Sequence, residues 1–244
     1  MENRFVFLGC SYNMSETLPQ MLHSICGQSY DNWKVIITDD ISDENHLQST
    51  KDTFQCFQRM LNGRYSEQLQ LIINSEKAYE TKNVLNMINL CDDHDIICRI
   101  DADDWLIDND ALTLINSAYN QSKCETLWTK HRWGFSDKNI SGPLPQHADP
   151  YRYSWVSSHL KTFRKYLLND VKDENYRNEN GEYVRRAGDQ AIYLPALYHS
   201  KINVFLDRTM YHYSIKDVPE TYQTNDAKMQ KNEAEFIRRR GYLK

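Results

Sequence analysis

Apolar residues along this chain fall into two rhythms that alternate through its first half. Short apolar runs stand at residues 4–10 (RFVFLGC), 33–38 (WKVIIT), 68–73 (QLQLII) and 96–100 (IICRI). Such runs, bounded by polar stretches, are the pattern of strands buried on both faces. Between them the spacing changes to threes and fours. Leu18, Met21, Leu22 and Ile25 give a helix over 16–27 one apolar face, with Ser15 as N-cap and Gly27 at its end. A second helix is expected over 44–61, and Val84, Leu85 and Ile88 mark a third over 82–90. Strands alternating with helices predict an α/β fold, a mainly parallel sheet with helices on both faces.

The rhythm loosens after Asp104. A helix is expected over 108–119, then a strand rich in aromatic and β-branched residues over 125–135. Gly142, Pro143, Pro145 and Pro150 make 136–153 a loop. Helices are expected over 158–168 and 186–199, separated by the polar stretch 169–183. Short strands at 202–206 and 210–215 and a terminal helix over 219–240 complete the reading.

At 244 residues, 40% hydrophobic and 26% charged, the chain suits one globular domain with a substantial core. Six cysteines show no CxxC pair, and several lie in apolar runs, so they are expected as reduced core thiols. No apolar stretch approaches ~18 residues and no signal peptide is evident, so the expected location is cytoplasmic, which for a virus-encoded protein means the host cytoplasm. Charge is unevenly divided. Residues 1–122 hold 8 Lys+Arg against 19 Asp+Glu, and residues 123–244 hold 21 against 15. An acidic half joined to a basic half suggests cation binding in the first and an anionic contact in the second.

The chemistry concentrates where the fourth apolar run ends, in Asp101-Ala102-Asp103-Asp104-Trp105. Three carboxylates within four residues repel one another unless a cation compensates them. The carboxyl end of a strand in an open α/β sheet is where ligands bind, and a hard divalent cation fits there. A solvated acidic turn is the plainer alternative. A haloacid-type phosphatase also places DxD after a strand, but Trp105 occupies the place of its hydroxyl or small side chain.

Further motifs surround this cluster. Ser11-Tyr12-Asn13 is followed by Leu18-Pro19, Ser24-Ile25, Gln28-Ser29-Tyr30 and Trp33, then by Thr38-Asp39-Asp40 and Ser42-Asp43. Lys82-Asn83 precedes the acidic cluster, and Gly188-Asp189-Gln190 lies 86 residues beyond Asp103. In this order the motifs resemble a family 2 glycosyltransferase with the GT-A fold, over about residues 4–200. Two departures stand out: Ile41 replaces a small residue after the Asp pair, and a glycine expected shortly after Asn74 is missing.

The resemblance implies a metal-dependent inverting glycosyltransferase that uses a nucleoside-diphosphate sugar, with UDP as the expected nucleotide and Mn²⁺ or Mg²⁺ as the ion. It divides the chain into a nucleotide and metal half (1–107), an acceptor half (108–218) and a C-terminal helix (219–244). It implies nucleotide-sugar contacts from Tyr12, Asn13, Asp39, Asp40, Lys82, Asn83 and Asp101, with Tyr12 and Asp39 at the base. Metal ligands are expected from Asp103 and Asp101, with His212 as a late histidine. Asp104 would hold the loop, contact the sugar or cap the following helix. Asp189 is implied as general base, a helix-capping role being the alternative. Trp128, Trp133 and Trp155 are candidates for an acceptor platform. Arg164 and Lys165, with Lys130, Arg132, Lys161, Arg185 and Arg186, are the basic residues an anionic acceptor would meet. The acceptor stays open between a surface glycan and a hydroxymethylated DNA base, and a sugar- or nucleic-acid-binding module is the non-enzyme alternative.

Overall fold

The computed structural model describes residues 2–61, 66–215 and 218–244. Its centre is one eight-stranded mixed sheet in the order β3-β2-β1-β4-β7-β6-β8-β5. The first four strands are β1 (Phe5–Ser11), β2 (Trp33–Asp39), β3 (Leu69–Ile73) and β4 (Ile96–Arg99), all mutually parallel. Alternation along each strand serves two cores. Phe5, Phe7, Val35, Ile37, Ile96 and Cys98 face one, while Val6, Leu8, Ile36 and Ile97 face the other. This is why the runs are apolar throughout rather than alternating with polar residues.

On the first face lie α1 (Leu18–Cys26), α2 (Glu44–Met60) and α4 (Ala111–Ser122), through Leu22, Phe54 and Ile115 among others. On the second lie α3 (Tyr79–Ile88) and α5 (Gly188–His199), through Val84, Met87, Ile192 and Tyr193. Ser15 does not cap α1, whose N-cap is Thr17 without a side-chain bond; Ser15 Oγ pairs with His46 Nδ1 at 2.8 Å. Five of the six cysteines are at least partly buried, but Cys56 is exposed on α2.

The second half departs from the expected pattern. Residues expected as a helix over 158–168 form β7 (Lys161–Arg164) and a 3-10 turn, Lys165–Leu168. The strand fills the gap between β4 and β6 (Thr126–Trp133), antiparallel to both. Phe163 enters one core, and Thr162 Oγ1 lies 2.9 Å from the Tyr119 hydroxyl on the other face, so tertiary pairing overrides a helix-like spacing of Leu160, Phe163 and Leu167. The two short strands expected near 202–215 are one, β8 (Asn203–Tyr213), because irregularities around Lys130 in its pairing with β6 absorb the polar Asp207-Arg208 step. Its end pairs with the two-residue β5 (Trp105–Leu106). The terminal helix is interrupted between α6 (Pro219–Gln223) and α7 (Asn225–Arg240), where Thr224 caps α7 by accepting from Ala227 N.

Candidate active site

The carboxyl ends of β1, β2 and β4 open into a cleft of about 430 Å³ lined by Tyr12, Asp40, Lys77, Glu80, Asp101, Asp103 and Arg186, among others. Its floor is built by interlocked loops. Asp39 accepts from Ser42 N at 3.0 Å and from Ser42 Oγ at 2.6 Å, Ser42 Oγ accepts from Asn13 N, and Asn13 Oδ1 accepts from Asp43 N. These bonds hold Ile41 in the left-handed region at φ 66 and Asn13 at φ 55. A β-branched residue is costly there, so the turn keeps its course despite Ile41 because its neighbours enforce it. Asp39 is fully buried, is bonded within this loop and does not line the cleft.

Asp40 does line the cleft, and it caps α3 from a distance. Its oxygens accept from Ala78 N at 2.8 Å, Tyr79 N at 3.0 Å and Asn74 Nδ2 at 2.8 Å. Burial pushes this carboxyl up, but the bonds from Ala78, Asn74 and Tyr79 prevail and hold it below the usual range. Tyr79, rather than a glycine, takes the left-handed position after Asn74, at φ 62. Asn83 is buried behind Asp40, its Oδ1 accepting from Asn74 Nδ2. Lys82 pairs with Glu76 at 3.9 Å and does not line the cleft. Lys77 stands there instead, with Nζ 3.1 Å from the centre of the exposed Tyr12 ring and 3.6 Å from Asp40 Oδ2.

The acidic cluster divides by burial. Asp101 and Asp103 face the cleft, and burial followed by the charge of Asp101 pushes the Asp103 carboxyl up to about 6. Asp104 is fully buried and accepts from the Tyr211 hydroxyl at 2.7 Å and from Ser214 N at 2.8 Å. It therefore ties the acidic loop to β8; it neither reaches the cleft nor caps α4. The Tyr211 hydroxyl also accepts from Asp101 N at 3.2 Å. His212 turns to the opposite side of β8, as strand alternation requires, and stacks on Trp105 at 3.7 Å while accepting from Arg132. It is thereby removed from the candidate metal ligands. The histidine that does meet the acids is His159, stacked on Tyr211, and its ligand atom lies within 4.8 Å of those of Asp101 and Asp104. Burial, then the charge of Lys161, holds His159 well below its ordinary range, hence neutral.

A second cleft of about 580 Å³ meets the first, lined by Trp133, Trp155, His159, Asp189, Tyr213, Tyr222, and one face of α7. Asp189 opens α5, and its Oδ2 lies 3.5 Å from Nζ of the buried Lys161. Trp133 and Trp155 line this cleft, but Trp128 is fully buried, its Nε1 donating to Gly142 O, and is a core residue. Arg164 and Lys165 lie at the other end of the sheet. The antiparallel register sets Lys161 beside Arg99 and Arg164 beside Ile96, and the two basic residues bind His94 O, Asn3 and Asp93. Neither lines either cleft. The loop before Asp189 is clamped by Glu233 of α7, whose carboxylate accepts from the backbone N–H groups of Arg185, Arg186 and Ala187.

The sequence alone does not mark Lys77, Glu80, Arg99 or His159 as site residues, and Lys161 and Arg186 stand out there only as basic residues for an anionic acceptor. Arg99 had a usable signal, a cation inside an otherwise apolar strand, which demands a buried partner. That partner is Glu80, at 2.7 Å. The others are brought in by pairings remote in sequence and carry no local mark.

With this geometry in place, comparison with known proteins is informative. The chain matches the family described as glycosyl transferase family 2 over residues 9–194. A Bacillus subtilis (strain 168) protein named as the glycosyltransferase EpsE is 33% identical over 96 residues, which is 38% of this chain and 30% of that protein. Staphylococcus aureus TarS superposes with a TM-score of 0.64 at 16% identity, covering 90% of this chain and 38% of TarS. A TarS 1–349 structure in complex with UDP-GlcNAc gives 0.63 at 14% identity, covering 91% and 61% of the respective chains. The mannosyltransferase PcManGT of Pyrobaculum calidifontis, in complex with GDP-Man and Mn²⁺, gives 0.53 at 12% identity, covering 90% and 59%. The chain thus spans less than two thirds of each of these relatives, and the structural likenesses establish the GT-A fold. A match over most of the chain, on the sheet edge where the acidic cluster and Asp189 converge, identifies it as a member of glycosyl transferase family 2.

Proposed function

We propose that this glycosyltransferase is an inverting, divalent-metal-dependent enzyme that moves a sugar from a nucleoside diphosphate, of the uridine class, to a hydroxyl of a saccharide acceptor. The observation that carries this reading is the meeting of the two clefts at one small cavity that Asp101 and Asp189 both line. The TarS and PcManGT complexes with nucleotide sugars support the donor class.

Carboxylates suit Mn²⁺ or Mg²⁺, and Asp101 and Asp103 present theirs to the donor cleft, with the neutral imidazole of His159 grouped beside Asp101 and the buried Asp104. When bound, such an ion stabilises the negative charge that grows on the departing diphosphate. The protein's own groups do the rest. Tyr12 offers an exposed ring to stack on the base, and Lys77 brings positive charge to the donor cleft. Asp189 takes the proton of the acceptor hydroxyl as its oxygen bonds to the anomeric carbon and the bond to the diphosphate breaks. Attack from the face opposite the leaving group inverts that carbon. Lys161 holds the base in place. Trp133 and Trp155 present flat apolar faces on the acceptor side, as sugar rings prefer.

A saccharide acceptor is favoured over DNA because Lys130, Arg132, Arg164 and Lys165, four of the seven basic residues expected to meet an anionic acceptor, line neither cleft nor the small cavity between them. Lys130 pairs with Asp207, Lys161 is buried, and Arg164 and Lys165 lie at the far end of the sheet. The test is calorimetry of UDP with Mn²⁺ on the wild type and on Asp103→Ala. Metal-dependent binding by the wild type and its loss in the variant are expected. Equal affinity in both would remove the metal role, and no nucleotide binding by the wild type would overturn the function.

A further inference from the structure

The transferred sugar must sit where the donor and acceptor clefts meet, and few side chains face both. Glu80 and Arg186 line each of the two clefts, and with Asp101 and Asp189 they also line the cavity between them. Arg186 is held by an ion pair to Asp226 of α7. Glu80 is fixed more firmly. Arg99 donates to its Oε1 at 2.7 Å, and Arg99 is itself buried and anchored on Leu8 O at 2.6 Å. On the other side, a Cβ at Gly188 would lie 2.8 Å from Glu80 Cδ and 2.9 Å from Oε2. The first residue of α5 therefore lacks a side chain where the Glu80 carboxylate stands. Among the described residues no hydrogen bond engages Oε2. A carboxylate offers about four acceptor positions, so most of this one's capacity is left for a ligand.

We propose that Glu80 reads the transferred sugar, accepting hydrogen bonds from its hydroxyls and selecting uncharged sugars over uronic acids. This rests on the function proposed above. The cations at the seam are already matched: Arg99 with Glu80, Lys161 with Asp189 and Arg186 with Asp226. A sugar carboxylate would meet Glu80, Asp101 and Asp189 without a free counter-charge, whereas sugar hydroxyls would satisfy Glu80 directly. Rejection by like charge is a common source of specificity.

The experiment measures affinity, with Mn²⁺ present, for UDP, UDP-glucose and UDP-glucuronate, and for GDP, GDP-mannose and GDP-mannuronate. It compares the wild type with Glu80→Gln and Gly188→Ala. The wild type is expected to prefer the neutral sugar of whichever nucleotide it binds by at least ~10-fold. Glu80→Gln should keep the affinity for the bare diphosphate within about 2-fold while narrowing that preference by at least ~10-fold. Gly188→Ala, which displaces the carboxylate without removing it, should weaken neutral-sugar binding and again spare the bare diphosphate. An unmoved preference in Glu80→Gln, or bare-diphosphate affinity falling in step with sugar affinity, would overturn the inference and leave Glu80 a structural partner of Arg99. Failure of the wild type to bind any of the six nucleotides would instead strike the function on which it rests.

Discussion

Replacing Tyr211 with Phe isolates the bond that anchors the acidic loop. The ring remains, and with it the stack on His159 at 4.8 Å, so little packing is lost. The hydroxyl is removed from Asp104 Oδ2, which it reaches at 2.7 Å, and from Asp101 N at 3.2 Å. A hydrogen bond to a buried charged group contributes about 1.5–3 kcal/mol, and the longer contact to Asp101 N adds less than about 1 kcal/mol. A loss of about 2–3 kcal/mol is therefore expected at pH 8, read from urea unfolding by linear extrapolation. Burial, then the charges of Asp101 and Asp103, raises the Asp104 carboxyl well above its ordinary value, while the bonds from Ser214 and Tyr211 oppose that rise. For an acid raised in the folded state, the linked stability is present at low pH and is lost as pH climbs through the folded pKa. Removing the Tyr211 donor raises that pKa further, so the variant's deficit must widen as pH rises through it. A deficit below about 0.5 kcal/mol at pH 8, or one that narrows with pH, would refute the assignment of Asp104 as a charged anchor.

Asp189→Asn should keep donor affinity while lowering kcat by roughly 10²–10⁴-fold, because the amide cannot take the acceptor proton; a raised KM at unchanged kcat would make Asp189 a binding group. Because Asp103 is pushed up to about 6 and a metal ligand must be deprotonated, Mn²⁺ affinity should rise from pH 5 to pH 7 and level off above, a course calorimetry can follow. An affinity independent of pH over that range would exclude Asp103 as a ligand. Neutralising Arg164 and Lys165 together should change kcat/KM by less than about 2-fold, as expected of surface charges remote from the site, and a loss beyond about 10-fold would contradict their position at the far end of the sheet.

How much could be read in advance depended on how local the physics is. The four parallel strands are covered on both faces, so each announces itself as an apolar run, and its carboxyl end marks where Asp40 and Asp101 must lie. The strand at 161–164 announces nothing, because its antiparallel partners determine its conformation and Leu160, Phe163 and Leu167 happen to follow a helical spacing. His212 looked suitable as a ligand by type alone. Its orientation depends on the parity of a strand whose pairing the sequence does not display, and parity puts Tyr211 and Tyr213 on the side of His159 instead. Trp128 and Arg164 differ for a related reason: residue type suggested contact, while burial or register withheld it. Glu80 and Lys161 are single polar residues whose meaning arises only from partners 19 and 28 positions away.

The family match ends at residue 194, yet α7, which begins at Asn225, walls the acceptor cleft through Gln230, Lys231 and Ala234. The same helix supplies Glu233, which binds the three backbone amides that lead into Asp189. On the function proposed above, one helix would shape the acceptor through Gln230, Lys231 and Ala234 and align the base through Glu233. Selection can redraw the outline of the acceptor by exchanging the residues that face the cleft, leaving the donor machinery untouched, so long as one carboxylate keeps its place. Recombination that replaced the helix wholesale would have to bring an equivalent clamp with it, which makes α7 at once the most adaptable and the least dispensable wall of the site.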